Sequence, residues 1–234
     1  MTKNVVLLIP GLMNPASIWD EVKAHIDPCI EVRILDVSSQ TSITDMADDA
    51  WQAIGDLNQE DNIVLCGFSM GSYVALEMLG RPHRTLKAAV LIGSSLNTET
   101  EKSAQIRKKS MTAIQQDFTG FLNRLAPFLI AESFSHKTNQ LDNMKEKMLS
   151  MGQDVALRQN IAIAERTVCR DTLAHNKVPV TLLCGAEDKI NPPECSQEIS
   201  KLFACDSPIL IEGVGHMVPL EKPLTIAKQI NKFF

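Results

Sequence analysis

Apolar positions in this chain fall into short runs separated by polar, turn-forming stretches. The first four runs are Val5–Ile9, Glu31–Val37, Asn62–Phe68 and Lys87–Gly93. Their length, and the turn formers flanking them, predict buried strands rather than helices. Between them, apolar residues at helical spacing predict helices over about 17–26, 43–57 and 70–79. Strands that alternate with helices call for a parallel sheet covered on both faces. From residue 97 to about 176 the strand pattern stops, and only helix-like segments such as "EKSAQIRKKSMTAIQQ" follow. It resumes at Val178–Gly185, then a helix near Pro193–Phe203, a run at Ser207–Gly213 and a last helix over about Glu221–Phe233. The expectation is an α/β core formed by residues 1–96 and 177–234, with a mostly parallel sheet of about six strands. Residues 97–176 would be an inserted helical cap.

The third run leads directly into chemistry. In "NIVLCGFSMGSYVALEML" Ser69 stands between Gly67 and Gly71, where the strand pattern gives way to a helix. A sharp strand-to-helix turn forces a strained backbone and needs small neighbours, and it presents the hydroxyl at the carboxyl edge of the sheet. A serine hydroxyl is a poor nucleophile alone, so it requires a base and a group that orients the base. His216 is the histidine that follows a strand directly, in "IEGVGHMVPLEKP". His25, His83, His136 and His175 read as surface or packing residues. Asp188, in "LLCGAEDKINPPE", is the chosen acid, with Glu187 beside it as the competitor. Pro10-Gly11 at the end of the first run places the amide of Leu12 beside that of Met70 as an oxyanion hole, with Met13 as the alternative donor.

These motifs resemble the α/β-hydrolase fold superfamily over nearly the whole chain. "LLIPGLMNPASIW", "GFSMGSYVALEML", "LLCGAEDKINPP" and "VGHMVPLEKPLTIAKQI" look like its oxyanion loop, nucleophile elbow, acid loop and histidine loop. Among its members the chain is most similar to small capped carboxylesterases and 3-oxoadipate enol-lactonase-like enzymes. Two departures stand out: Pro10-Gly11 replaces the common His-Gly, and Ser72 replaces a common second glycine after the elbow. The resemblance implies cleavage of an ester, lactone or thioester through an acyl-enzyme, with no metal or organic cofactor. A carbon–carbon bond hydrolase or lyase on the same fold and a non-catalytic binding protein are the rival readings.

Composition narrows the setting. The chain has 234 residues, 44% apolar and 22% charged, with a net charge of −5, which gives no electrostatic reason to expect nucleic acid. Val5–Ile9 is too short for a signal or membrane segment. The six cysteines form no CxxC pair, which fits reduced thiols and a cytoplasmic monomer or homodimer. Substrate contacts are expected from Met13 and Met217, and a carboxylate anchor from Arg124, Arg158 or Arg166. The apolar cap positions, Met144 and Met148 among them, read as packing, and Arg107-Lys108-Lys109 as a solvated helix face.

Overall fold

The computed structural model describes residues 2–135 and 138–234, so the expectation for His136 lies outside the described residues. The first half alternates strand and helix: β1 (Asn4–Ile9), a 3-10 turn (Ala16–Trp19), α1 (Asp20–Lys23), β2 (Glu31–Ile34), α2 (Ile43–Gln52), β3 (Asn62–Phe68), α3 (Met70–Gly80) and β4 (Ala88–Ile92). A helical stretch follows, with α4 (Glu101–Gln116), α5 (Phe118–Leu129), α6 (Glu132–Ser135), α7 (Thr138–Ser150), α8 (Gln153–Glu165) and α9 (Arg170–Ala174). The chain then returns to the sheet through β5 (Val180–Gly185), α10 (Pro193–Phe203), β6 (Ile209–Ile211), α11 (Val218–Glu221) and α12 (Pro223–Asn231).

The six strands lie in the order β2-β1-β3-β4-β5-β6, and every pairing is parallel. Because strand side chains alternate between faces, β1 sends Val5, Leu7 and Ile9 into one apolar layer and Val6 and Leu8 into the other. The β3 strand does the same with Ile63 and Leu65 against Val64, Cys66 and Phe68. Both faces are covered, which is why these strands are apolar throughout rather than alternating. Trp19 and Ile226 seal one layer, Met46 and Val74 the other. Each such buried side chain contributes roughly 1.5–3 kcal/mol.

The order of strands places the site. After β1 the chain moves outward to β2, then crosses back so that β3 lies on the other side of β1. At such a reversal the loops leaving the two central strands diverge and open a crevice at their carboxyl ends. The loops in question carry Leu12, after β1, and Ser69, after β3.

Several elements end earlier than their apolar pattern suggests. The helix expected over 43–57 stops at Gln52, and the chain turns through Gly55, whose amide bonds Gln52. The helix expected over 17–26 is a 3-10 turn followed by a single helical turn. The last helix begins at Pro223 rather than Glu221, because Lys222 before the proline lies outside the helical region. Edge strands β2 and β6 are shorter than their runs, and Ile209 and Leu210 on β6 are exposed. Truncating the central strand tests the two-layer core: Leu65→Ala should lower unfolding free energy by about 2–5 kcal/mol in urea denaturation.

Candidate active site

Ser69 is the turn between β3 and α3, and its φ of 51° lies in the left-handed region. Its amide donates to the Ile92 carbonyl of β4 at 2.8 Å, while its own carbonyl accepts from the Ser72 amide at 2.9 Å and the Ser72 hydroxyl at 2.5 Å. Ser72 therefore fastens the turn, a function glycine could not supply. Gly71 is required by close approach, because a Cβ there would lie 2.1 Å from the Ile9 carbonyl oxygen and 2.7 Å from that of Pro10. That contact sets the start of α3 directly against the end of β1.

His216 Nε2 lies 2.9 Å from Ser69 Oγ, and its Nδ1 lies 2.7 Å from Asp188 Oδ2. With the Nδ1 proton donated to the carboxylate, Nε2 is left as the acceptor facing the serine hydroxyl. The other Asp188 oxygen accepts the amides of Ile190 and Asn191 at 2.8 and 2.9 Å. Its rotamer is thus fixed from both sides. Gly93 borders the pair: at φ 54° it has no Cβ, and one placed there would sit 3.2 Å from the His216 ring. The Phe68 ring packs against His216 with centroids 5.2 Å apart. Glu187 is exposed and turns away, accepting the Glu132 amide at 3.3 Å.

The amides of Leu12 and Met70 donate to no other group among the described residues. The alternative donor is engaged, since the Met13 amide bonds Gln159 Oε1 at 2.8 Å. Two free N–H groups thus lie on the loops that Gly71 holds together. One of them is at the first residue of α3, where the helix dipole also favours negative charge.

Other expected site residues are placed elsewhere. Met13 and Met217, expected to contact substrate, are buried in the apolar layer with Phe68 and Trp19. The three candidate arginines have separate surroundings. Arg124 is exposed on α5, and Arg158 donates to the Ser38 carbonyl at 2.9 Å. Arg166 stacks 3.9 Å above the Tyr73 ring and donates to the carbonyls of Ile163 and Asn97. Arg107 pairs with Glu99 at 2.6 Å rather than lying free. His83 stacks on Trp51, and His25 and His175 are exposed. Cys66 and Cys184 are core residues. Burial drives the Cys66 thiol far above its ordinary value and that of Cys184 up to about 12, so neither is a thiolate nucleophile at neutral pH.

The sequence reading passed over two polar residues of the surroundings. Asn191 donates through Nδ2 to the Gly93 carbonyl at 2.7 Å, tying the acid loop to the end of β4. Glu221, five residues beyond His216, accepts the amides of Gly215 and Ala131, each at 3.0 Å. It joins the histidine loop to the helical segment between β4 and β5, and Met217 adds a bond from its amide to the Leu129 carbonyl at 3.0 Å.

Comparison with known proteins agrees with this fold. Residues 33–223 match the Hydrolase_4 family model, described as "Serine aminopeptidase, S33". A curated relative from Enterobacter cloacae, named "Putative carbamate hydrolase RutD", is 24% identical over 94% of this chain and 87% of its own. Among solved structures, a thermophilic esterase from Thermogutta terrifontis superposes with a TM-score of 0.86 at 22% identity, over 99% of this chain and 89% of that one. The enol-lactonase from Burkholderia xenovorans superposes with a TM-score of 0.85 at 14% identity, over 100% and 92%. No helix among the described residues is long and apolar enough to cross a membrane.

Burial, with a smaller contribution from nearby Glu187, raises the Glu221 carboxyl above its ordinary value, despite the amides it accepts. A raised folded pKa favours the protonated folded form, so this contribution to stability is present at acid pH and is lost as pH rises through the folded pKa. Glu221→Gln removes that titration. The stability of wild type relative to the variant should therefore decline as pH is raised upward from about 4.5, followed by urea denaturation.

Proposed function

The chain belongs to the serine aminopeptidase S33 family and so to the α/β-hydrolase superfamily, and on that premise we propose that it is a serine hydrolase cleaving a carboxylic ester, lactone or thioester of a small molecule. The observation that carries this reading is the unbroken hydrogen-bond chain from Asp188 through His216 to a serine held at positive φ. The names of the relatives support this reading: an esterase, an enol-lactonase and a "Putative carbamate hydrolase RutD".

In this reading Ser69 Oγ attacks the substrate carbonyl carbon while His216 Nε2 accepts the hydroxyl proton. Asp188 keeps the imidazole oriented and stabilises the imidazolium. The carbonyl oxygen becomes an oxyanion between the amides of Leu12 and Met70, where each such donor is worth about 3 kcal/mol in the transition state. His216 then gives its proton to the leaving oxygen or sulfur, and an acyl-enzyme forms. Water, deprotonated by the same nitrogen, attacks the acyl carbon, and collapse of the second oxyanion regenerates Ser69. Every proton in the cycle passes through one nitrogen.

Residues 97–176 serve as a cap on the core formed by 1–96 and 177–234. Support comes from the bonds that tie this segment to the loops beside Ser69: Ala131 to Glu221, Leu129 to Met217 and Gln159 to Met13. Selectivity then lies in the space between cap and elbow.

Intact-protein mass after exposure to a fluorophosphonate tests the nucleophile. Wild type should gain a single adduct and Ser69→Ala none; an adduct of equal yield on the variant would assign the chemistry to another residue. For the acid, Asp188→Asn should lower ester kcat by about 10³–10⁴. Glu187→Gln should leave it within a fewfold of wild type, and the reverse ranking would make Glu187 the orienting group.

A further inference from the structure

We propose that Gln159, on the helical segment, is a positioning residue that sets the oxyanion hole; this rests on the oxyanion role assigned to the Leu12 amide. Gln159 lies in α8 and is fully buried. Its Oε1 accepts the Met13 amide at 2.8 Å, and its Nε2 donates to the Val37 carbonyl at 2.9 Å. A backbone amide can only donate and a carbonyl only accept, so both ends of the side chain are assigned without ambiguity. The one side chain bridges the loops that follow the adjacent strands β1 and β2.

The bridge acts on a single peptide plane. Leu12 C=O and Met13 N–H belong to one rigid unit. Asn14 Nδ2 donates to that carbonyl at 2.9 Å, and Gln159 takes that N–H. The plane is therefore held at both polar atoms, and Met13 is held at φ 57°, a conformation that costs a non-glycine residue. With this plane fixed, the preceding N–H, that of Leu12, is left unpaired and cannot exchange roles with Met13 by a peptide rotation. Loss of Gln159 would strand a buried Met13 N–H. The loop would relieve that by turning the plane, which moves the Leu12 donor.

The arrangement gives the helical segment a direct part in transition-state stabilisation, separate from any contact with substrate. A residue that shaped the substrate pocket would act mainly on KM, whereas Gln159 acts on kcat. The neighbouring Arg158 bond to the Ser38 carbonyl anchors the same turn of α8 to the same loop, so the segment remains docked when Gln159 is changed.

The experiment compares Gln159→Leu and Gln159→Glu with wild type in hydrolysis of p-nitrophenyl acetate, with thermal melts to establish folding at the assay temperature. Gln159→Leu should lower kcat by about 10- to 100-fold, below the loss for deleting a donor outright, with KM within a fewfold. Gln159→Glu keeps an acceptor for Met13 but turns a carboxylate oxygen toward the Val37 carbonyl. When protonated it reproduces both glutamine bonds, so its kcat relative to wild type should recover as pH is lowered. Folded variants with unchanged kcat, or with a loss confined to KM, would overturn the proposal while leaving the serine hydrolase reading intact. Absence of both turnover and fluorophosphonate adduct in wild type would overturn that reading, and this inference with it.

Discussion

A non-glycine residue in the left-handed region costs of order 1–3 kcal/mol, and Ser69 is kept there because the surrounding backbone leaves it no alternative. Its amide completes the β3–β4 ladder at Ile92, while its carbonyl is claimed by both donors of Ser72. The strand behind it is one of the sheet's central pair, and the helix ahead packs back against both strands of that pair. Gly71 allows α3 to press against the end of β1, so relaxing the serine would mean separating β1 from α3. The strain is sustained by burial of β1 and β3 on both faces. In return the hydroxyl lies 2.9 Å from His216 Nε2, and the first amide of α3 has no other partner among the described residues.

A second layer of constraint comes from buried polar side chains rather than apolar contact. Apolar packing favours contact but is non-directional, whereas a satisfied buried hydrogen bond fixes both position and orientation. Asn191 orients the acid loop, Glu221 the histidine loop and Gln159 the loop after β1. The last two also contact, or belong to, the helical segment between β4 and β5. That segment is thus fastened both to the loop that carries His216 and to the loop after β1.

The core was legible in the sequence because parallel strands buried on both faces leave continuous apolar runs, which is what β1, β3 and β4 are. Ser69, Asp188 and His216 were legible as candidates for a related reason: each follows such a run within a few residues, and the structure brings them within hydrogen-bond reach of one another. Gln159 left no comparable signal. A glutamine at a helical position reads as solvent-facing, and only the packing of α8 over two distant loops makes it buried and doubly bonded. Element ends were misjudged where a local residue overrode the apolar pattern, as Gly55 does after α2 and Pro223 does before α12. The three arginines were indistinguishable in sequence, since a long cationic side chain can lie in water, bind a carbonyl or cover a ring with the same neighbours in the chain.

Their actual positions bear on what the site selects. A carboxylate-bearing substrate would call for a guanidinium free to make a paired bond near Ser69. Arg124 is in solvent, Arg158 is committed to the Ser38 carbonyl, and Arg166 covers the Tyr73 ring while donating to two backbone carbonyls. Tyr73 in turn lies within hydrogen-bond distance of Asn191, which steadies the acid loop. Drawing Arg166 away to meet a substrate would therefore disturb the support of Asp188. The same arginine cannot be both a strut of the acid loop and a mobile anchor. Arg158 and Arg166 are thus committed to groups of the protein itself, and of the three only Arg124 is exposed to solvent.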